Sequence, residues 1–424
     1  MGGIGIKSGG RIALKNLEYD YLIIGGGIAG TTAAETIRRR DAAGKIAIVE
    51  DEPHLLYSRV FLPAYARGEL GREKVMLRGL KDYERQNIDL FVSERILKID
   101  FSRREAATAS GKNFFYKKLL VASGGRVRPW EFEKEFADRI LRLQTLEDAE
   151  RIRSLAFEGK IKKVAVVGGG FISLEFLNIF KKYGVELTLI LRADYFWKGQ
   201  VDDKGGEFFK ELFSRNAVAQ LSRDELYEIR RVGNGIQVLT KNGNKIECDY
   251  IAAGLGLKRN NELVEGQLET GRGIKVNEFL EAKGQERVWA AGDVVEYFDK
   301  FSGRDRMVGN WTHGFMTGHI AGENMAGGRK SFASASTYSI TALSSVLTFV
   351  GDVEEDAADE TVTRFLPAER KYSRFFLKRG RLIGAILFNT YQLKPILSKL
   401  IESEKDLSAQ KHLFRDVRGD LSLL

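Results

Sequence analysis

Two glycine-rich loops contain the residues whose types and spacing point to chemistry. The first, Gly25-Gly26-Gly27-Ile28-Ala29-Gly30, follows an apolar run at 19–24 that is typical of a buried strand. In this pattern Gly25 makes the turn, Gly27 lets the backbone approach a pyrophosphate, and Gly30 lets a helix pack closely on the strand. The N–H groups at the start of that helix favour an anion. We therefore predict a dinucleotide site at this loop.

The elements that must position this loop are also predictable. Residues 31–40 carry small and apolar side chains on one side, which indicates a helix, and residues 46–49 form a second apolar strand. That strand ends on Glu50, whose carboxylate can accept hydrogen bonds from ribose hydroxyls. A strand, a glycine loop, a helix, a second strand and a terminal acid make a complete dinucleotide fingerprint.

The second glycine loop, Gly168-Gly169-Gly170-Phe171-Ile172-Ser173, has similar surroundings. An apolar strand at 164–167 precedes it, a helix follows it, and a further strand is predicted at 186–191. Ser173 stands where a third glycine is usual, and a small residue is sufficient there. Two such units predict two bound dinucleotides. A flavoprotein explains them most simply, with FAD held permanently and NAD(P)H held transiently.

Four further segments match those of a known family. They are Leu55 to Pro63, Tyr116 to Gly125, Val288 to Asp293, and Asn310 to Met325. Together with the glycine loops, they give the chain a resemblance to the FAD-dependent pyridine nucleotide-disulfide oxidoreductases, from about residue 18 to the end. The similarity is greatest to the branch of NADH:rubredoxin, ferredoxin and nitrite reductase flavoproteins and their apoptosis-inducing-factor relatives. The resemblance implies an α/β fold with two Rossmann-like dinucleotide-binding domains and a small C-terminal α+β domain.

The resemblance also implies two sets of binding residues. The FAD set is Gly25, Gly27, Ile28, Ala29, Gly30, Glu50, Arg59, Ile96, Ala122, Ser123, Gly124, Gly292, Asp293 and Trp311. The NAD(P)H set is Gly168, Gly170, Phe171, Ile172, Arg192, Lys198, Gly254 and Gly256. Asp293 is expected to contact the ribityl chain, and Arg59 to neutralise a phosphate or lie near the flavin ring. The catalytic assignment is Glu175, which in the family faces the flavin and helps to hold the nicotinamide.

The sequence departs from the family's pattern at two places. A lysine is frequent near the flavin just after the position of Arg59, where Leu62 and Pro63 stand here. Arg259 replaces the usual proline before Asn260. The resemblance therefore does not identify the electron acceptor.

The predicted domain order places one domain inside another. The assignment is a leader of little structure at 1–17, an FAD-binding domain at 18–124 and 247–328, an NAD(P)H-binding domain at 125–246, and a C-terminal domain at 332–424. Within the last domain, the alternating pattern around a Lys-Arg-Gly-Arg turn predicts a hairpin over 372–388.

Composition excludes several classes of protein. The chain has 424 residues and a single cysteine, Cys248. One thiol makes no intrachain disulfide, so the Cys-x-x-x-x-Cys route of many relatives is excluded, and electrons must leave the flavin for an external acceptor. The spacing of the four histidines predicts no metal site. No apolar run is long enough to span a membrane, and we expect a cytoplasmic protein.

We therefore expect an FAD-dependent NAD(P)H oxidoreductase without a redox-active disulfide. Its formal net charge of +9 favours a small acidic carrier, rubredoxin-like or ferredoxin-like, as acceptor. A nucleotide-responsive redox sensor with slow turnover, an NAD(P)H oxidase and the flavin subunit of a larger reductase are the alternatives. No acid ends the second strand after the second loop, and Arg192 and Lys198 follow it, which favours NADPH. Nucleic acid is not expected as a partner, and monomer and homodimer both stay open.

Overall fold

The structure is a computed structural model that describes residues 5–6 and 16–423. The chain divides into two compact units. The first comprises the described residues of 1–59, 72–126 and 258–334, and the second comprises 60–71, 127–257 and 335–423. No helix within the described residues combines the length and the apolar composition that a membrane crossing requires.

An eight-stranded sheet forms the centre of the first unit. Its strands in spatial order are Gly5–Ile6, Ile88–Phe91, Ile46–Val49, Asn16–Ile24, Asn113–Val121, Glu105–Thr108 and Ile96–Asp100, with Val288–Ala290 paired to Asn113–Val121. The strands from Ile88–Phe91 to Asn113–Val121, and Val288–Ala290, are parallel. Because both faces of such strands are covered, Ile46–Val49 is apolar and buried throughout.

Two helices of the first unit pack closely against each other. Ile28–Arg40 follows the first glycine loop, and Trp311–Met325 lies beside it. A Cβ atom added at Gly318 would collide with the backbone oxygen of Ala29, so the close approach depends on glycine there. The other elements are helices Arg72–Val75 and Leu80–Arg85, strands Ile274–Lys275, Val295–Asp299 and Arg304–Arg306, and single 3-10 turns Glu262–Val264 and Gly292–Val294.

A five-stranded parallel sheet forms the larger part of the second unit. Its order is Val218–Leu221, Glu186–Ile190, Lys163–Val167, Tyr250–Ala253 and Ile140–Leu141. Helices Leu62–Ala66, Glu133–Phe136, Leu146–Phe157, Phe171–Lys182 and Asp203–Arg215 accompany it, and Leu226–Val232, Gly235–Thr240 and Lys245–Cys248 form an antiparallel sheet. Short strands Gly125–Val127 and Leu257–Arg259 pair with each other.

Residues 335–423, the described part of the C-terminal domain, also belong to the second unit. Their antiparallel sheet has the order Thr337–Ala342, Ser345–Gly351, Arg381–Phe388, Lys371–Lys378 and Glu360–Leu366, and the helices Lys394–Ser403 and Lys411–Arg415 follow it. The predicted hairpin is confirmed, since Lys371–Lys378 pairs in antiparallel fashion with Arg381–Phe388. The predicted α/β fold class, with two Rossmann-like units and a small C-terminal domain, is confirmed as well.

The boundaries between the units differ from the predicted ones. The return to the FAD-binding domain was predicted at 247, but strand Tyr250–Ala253 pairs in parallel with Lys163–Val167, so the second unit continues to Leu257. Residues 60–71 also lie in the second unit, where the Arg153 guanidinium donates to the backbone oxygens of Tyr65 and Leu70.

Two parts of the predicted leader are ordered into strands. Gly5 and Ile6 pair in antiparallel fashion with Phe91 and Leu90, and strand Asn16–Ile24 begins before residue 18. The prediction of little structure is therefore wrong for these residues. Its remainder, 1–4 and 7–15, lies outside the described residues.

Candidate functional site

The first glycine loop depends on glycine at two positions for steric reasons. Gly25 has φ +105°, and a Cβ atom there would overlap the backbone oxygen of Ala122 on the neighbouring strand. A Cβ atom at Gly30 would overlap the backbone oxygen of Gly25. The loop can therefore turn tightly into the helix, as the spacing predicts.

Gly27 is different, because it is open. It is the N-cap of helix Ile28–Arg40, and no side chain caps that end or places an acid in its first turn. A Cβ atom at Gly27 would meet nothing within 4 Å. The helix start thus presents backbone N–H groups to free space, with the positive end of the helix dipole behind them. This arrangement fits the pyrophosphate of a dinucleotide.

Glu50 lies against the same loop. Its carboxylate accepts hydrogen bonds from the backbone N–H of Gly26 and, at 3.0 Å, from that of Glu52. Burial, and then the neighbouring Asp51 carboxyl, raise the pKa of Glu50 to about 8. The side chain is therefore fixed beside the helix start, where the ribose of a dinucleotide bound at Gly27 would be held.

Arg59 lies near three acidic residues of the first unit. Its guanidinium forms an ion pair with Glu52, which also accepts a hydrogen bond of 2.7 Å from the Tyr57 hydroxyl. Its positive charge acts on Glu50 and on Asp293 as well. Its positive charge is therefore partly compensated within the first unit.

Asp293 follows the strand Val288–Ala290 and lies in a single 3-10 turn. Burial raises the pKa of its carboxyl, while the positive charges of Arg259 and Arg59 lower it. The Arg259 Nη1 atom lies 3.4 Å from Asp293 Oδ2. Arg259, which stands where the family usually has proline, is thus a neighbour of the predicted ribityl contact that the sequence did not reveal.

Ser123 and Gly124 are held by a residue that sequence reasoning did not assign. The Ser123 hydroxyl donates to the backbone oxygen of Asn260 at 2.7 Å, and the Asn260 amide donates to the Ser123 oxygen at 2.8 Å. The Asn260 backbone N–H donates to the Gly124 oxygen at 3.0 Å. Asn260 therefore fixes the end of the strand that also contacts Gly25 through Ala122.

The remaining residues of the predicted FAD set also lie in the first unit. Gly292 donates its N–H to Thr317 Oγ1 at 2.9 Å, and Trp311 is the partly buried first residue of the helix capped by Asn310. The Ile28 side chain lies against that helix at Gly314, and the Ala29 backbone lies against it at Gly318. Ile96 starts a strand, and its side chain lies in the hydrophobic core of the unit. Burial of this kind indicates a packing role for the Ile96 side chain.

The second glycine loop repeats the geometry of the first. Gly168 has φ +120°, and a Cβ atom there would overlap the backbone oxygen of Gly254. Gly170 is the uncapped N-cap of helix Phe171–Lys182, and a Cβ atom there would meet nothing within 4 Å. The buried Ser173 hydroxyl lies against Gly254, which leaves no room for a side chain at that position. Gly256 has φ +81°.

Glu175 lies one turn into that helix and has a partner that the sequence did not predict. The Arg67 Nη1 atom is 3.6 Å from Glu175 Oε2, and Arg67 also pairs with Glu69 at 2.9 Å. Burial raises the pKa of Glu175, and the Arg67 charge opposes that rise. No sequence signal indicated Arg67, because its segment, 60–71, was assigned to the other unit.

The two basic residues predicted to bind a 2′-phosphate both have acidic partners. Arg192 Nη2 lies 2.6 Å from Glu225 Oε1, and Lys198 forms an ion pair with Asp194, which also pairs with Arg223. Glu225 follows the neighbouring strand Val218–Leu221 and so brings an acid to the place where the sequence showed none. Glu225 also pairs with Lys241, so the positive charge expected at this position is partly compensated.

Comparison with known proteins identifies two matching family models. A model described as pyridine nucleotide-disulphide oxidoreductase matches residues 19–321. A second, described as rubredoxin NAD+ reductase C-terminal domain, matches residues 342–405.

The chain is similar to several known oxidoreductases along nearly its whole length. It is 26% identical over 403 residues to the NADH-dependent phenylglyoxylate dehydrogenase subunit epsilon of Aromatoleum evansii, covering 93% of this chain and 94% of that one. It is 25% identical to the NADH-rubredoxin oxidoreductase of Clostridium acetobutylicum, covering 91% and 94%. The solved ferredoxin reductase for the CYP199A2 system of Rhodopseudomonas palustris has a TM-score of 0.86 at 27% identity, covering 95% and 99%.

Proposed function

Because the chain belongs to the pyridine nucleotide-disulphide oxidoreductase family, and is thus an FAD-dependent oxidoreductase, we propose that it takes a hydride from NADH and passes electrons to a small redox carrier protein. One observation carries this proposal. Each unit has an uncapped helix start behind an open glycine, Gly27 in the first and Gly170 in the second. Two such cradles suit two dinucleotides, one retained and one exchanged.

The first unit would hold FAD through residues described above. Backbone N–H groups at Gly27 and the following turn would bind the pyrophosphate, Glu50 would accept from ribose hydroxyls, and Arg59 would neutralise phosphate charge. Asp293, with Arg259 beside it, would accept from the ribityl hydroxyls. When bound, FAD accepts a hydride from a nicotinamide and can release the electrons one at a time.

The second unit would hold the nicotinamide nucleotide. Gly168 and Gly170 shape the pyrophosphate cradle, and Glu175 supplies a carboxylate one turn into the same helix. Arg67 keeps a positive charge near that carboxylate and so favours its ionised form against the effect of burial. We propose that Glu175 orients the nicotinamide and that Arg67 orients Glu175.

The acceptor is proposed to be external to the chain. Cys248 is the single cysteine, and burial raises the pKa of its thiol to about 12, so it stays protonated and unreactive at neutral pH. A redox-active intrachain disulfide is therefore excluded. The names of similar proteins include rubredoxin and ferredoxin reductases, and the net charge of +9 suits an acidic carrier.

The choice of nucleotide is proposed to be NADH, in place of the NADPH predicted from the sequence. Two similar proteins are named for NADH. In addition, Glu225 pairs with Arg192 at 2.6 Å, and a carboxylate at this position would repel a 2′-phosphate. The support for NADPH rested on Arg192 and Lys198 being free to bind that phosphate.

Glu225→Gln tests the nucleotide choice. The change removes one negative charge and releases the Arg192 guanidinium, so we expect kcat/KM for NADPH to rise about 10-fold relative to NADH, which corresponds to about 1.4 kcal/mol. The measurement is flavin reduction by each nucleotide in stopped flow. Glu228→Gln is the control, because Glu228 pairs with Arg230 at 2.6 Å within strand Leu226–Val232. An unchanged ratio in Glu225→Gln would contradict the role of Glu225.

Carrier turnover tests the function itself. The FAD-loaded protein is reduced with NADH and then mixed with a reducible rubredoxin or ferredoxin at rising salt. We expect rapid reoxidation that slows steeply towards about 0.3 M salt, where the screening length falls well below 10 Å. A rate independent of salt would count against an acidic carrier. Slow reoxidation by every carrier would instead support a redox-sensing role.

A further inference from the structure

The segment that follows the second strand of the nucleotide unit has little regular structure of its own. We define it as the 192–202 segment; it contains Arg192, Asp194 and Lys198. In a dinucleotide-binding fold this position faces the adenosine ribose. It consists of bends and turns with one bridge between Lys198 and Val201, and Trp197 adopts φ +60°. A bulky residue in the left-handed region persists only where its surroundings hold it there.

Aromatic packing from the C-terminal domain helps to stabilise this conformation of Trp197. The Trp197 ring centroid lies 4.9 Å from that of Phe349 and 4.7 Å from that of Phe171. Phe171 is the first residue of the helix that starts at Gly170, and its ring lies 5.2 Å from Phe349. Phe349 is buried. Its ring packs both on the 192–202 segment, through Trp197, and on the helix start of the second glycine loop, through Phe171.

Polar contacts from the same domain hold the C-terminal part of the segment. The buried Arg374 guanidinium donates to the Gln200 backbone oxygen at 2.9 Å and pairs with Glu355 at 2.8 Å. The Thr363 hydroxyl donates to Asp202 at 2.5 Å, and Asp202 caps the next helix through Gly205. The part of the segment that follows Trp197 is thus attached to strands of the C-terminal sheet at Gln200 and at Asp202.

A third attachment lies further along the glycine-loop helix. The Asn178 amide donates to the Thr341 oxygen at 2.6 Å, and its oxygen accepts from the Leu343 N–H at 2.7 Å. The same amide lies 3.5 Å from Glu175 Oε2. The antiparallel strand pair Thr337–Ala342 and Ser345–Gly351 is therefore connected through Asn178 to Glu175, the residue assigned to the nicotinamide.

We propose that the C-terminal domain is a positioning part of the nicotinamide-nucleotide site, and that Phe349 is the residue through which it holds the 192–202 segment and the helix start together. The inference rests on the proposed function, because it takes the second glycine loop as the nucleotide cradle. Removing the Phe349 ring would take away a packing contact from both the 192–202 segment and the helix start of the second glycine loop. The FAD cradle lies in the first unit and does not depend on these contacts.

Phe349→Leu tests the proposal, with Phe375→Leu as its matched control. Phe375 is equally buried in the same sheet, but its ring packs on Phe414 at 4.9 Å, away from the 192–202 segment. We expect Phe349→Leu to raise the Kd and KM for NADH about 10-fold, since two aromatic contacts to the cradle are lost, with kcat and FAD content within about twofold. Phe375→Leu should change Kd and KM by less than twofold. Amide hydrogen exchange in 192–202 should accelerate only in Phe349→Leu.

The outcomes separate the two proposals. Equal nucleotide affinity in both variants, or unchanged exchange in 192–202, overturns the positioning role while NADH still reduces the wild-type flavin. A wild-type protein that NADH does not reduce overturns the proposed function instead. Should Phe349→Leu not fold, Arg374→Lys is compared with Arg364→Lys, whose guanidinium donates to the Phe414 and Gly419 oxygens. A rise in KM only in Arg374→Lys supports the proposal, and matching KM values overturn it.

Discussion

Gly27→Val is expected to give a folded protein that does not bind FAD. The backbone at Gly27 has φ −66° and ψ −173°, which valine adopts without strain, and the space around its Cβ is open within 4 Å. The new side chain would occupy the position of the pyrophosphate. Losing two charge-assisted hydrogen bonds of about 1.5–3 kcal/mol each would weaken FAD binding by roughly 100-fold or more. Visible absorbance and FAD titration measure the loss.

Valine substitutions at two other glycines provide comparisons for Gly27→Val. Gly79→Val is the control, because Gly79 is also the N-cap of a helix with extended backbone, φ −103°, and has only one side chain near its Cβ, at 3.8 Å. It should retain FAD. Gly25→Val should fail to fold, since Gly25 has φ +105° and a Cβ there would overlap Ala122. A yellow, stoichiometrically loaded Gly27→Val would refute the assignment of the first cradle.

Gly170→Val is expected to leave FAD bound and to abolish its reduction by NADH. Gly170 has φ −117° and the same open surroundings, so the substitution keeps the fold and fills the second cradle. By the same count of lost hydrogen bonds, kcat/KM for NADH should fall roughly 100-fold or more. Stopped-flow flavin reduction measures this rate, and reduction by dithionite verifies that the flavin itself is intact.

The two valine variants act as controls for each other. Gly27→Val should still bind NADH at the second cradle, and Gly170→Val should still hold FAD at the first. If Gly170→Val loses FAD, or is reduced at the wild-type rate, the division of the two dinucleotides between the two units is wrong. Near-equal defects in both variants would indicate a general loss of structure.

The glycine loops were predictable because their requirements are local. A positive φ at Gly25 and Gly168, and an open N-cap at Gly27 and Gly170, follow from a few adjacent residues between a strand and a helix. The same holds for Glu50, which ends the strand after the first helix. The single cysteine likewise excluded an intrachain disulfide without any structure.

The charged and polar partners of the site residues were not predictable in this way. Arg192 meets Glu225, Glu175 meets Arg67, and Ser123 meets Asn260 only after distant segments pack together. The NADPH prediction relied on the residues near Arg192 in sequence, and so could not include an acid from the end of the adjoining strand. Electrostatics acts through space, and the sequence lists neighbours along the chain only.

The domain boundary depended on tertiary structure for a related reason. The run at 250–253 is apolar throughout, which predicts a buried parallel strand but not the sheet that it joins. Pairing with Lys163–Val167 assigns it to the second unit. The sequence by itself predicted the two glycine loops, because these depend on local backbone geometry, and its resemblance to known proteins indicated the flavoprotein family. Tertiary structure decided which charges surround each cradle and which sheet each strand joins, because packing between distant segments sets both.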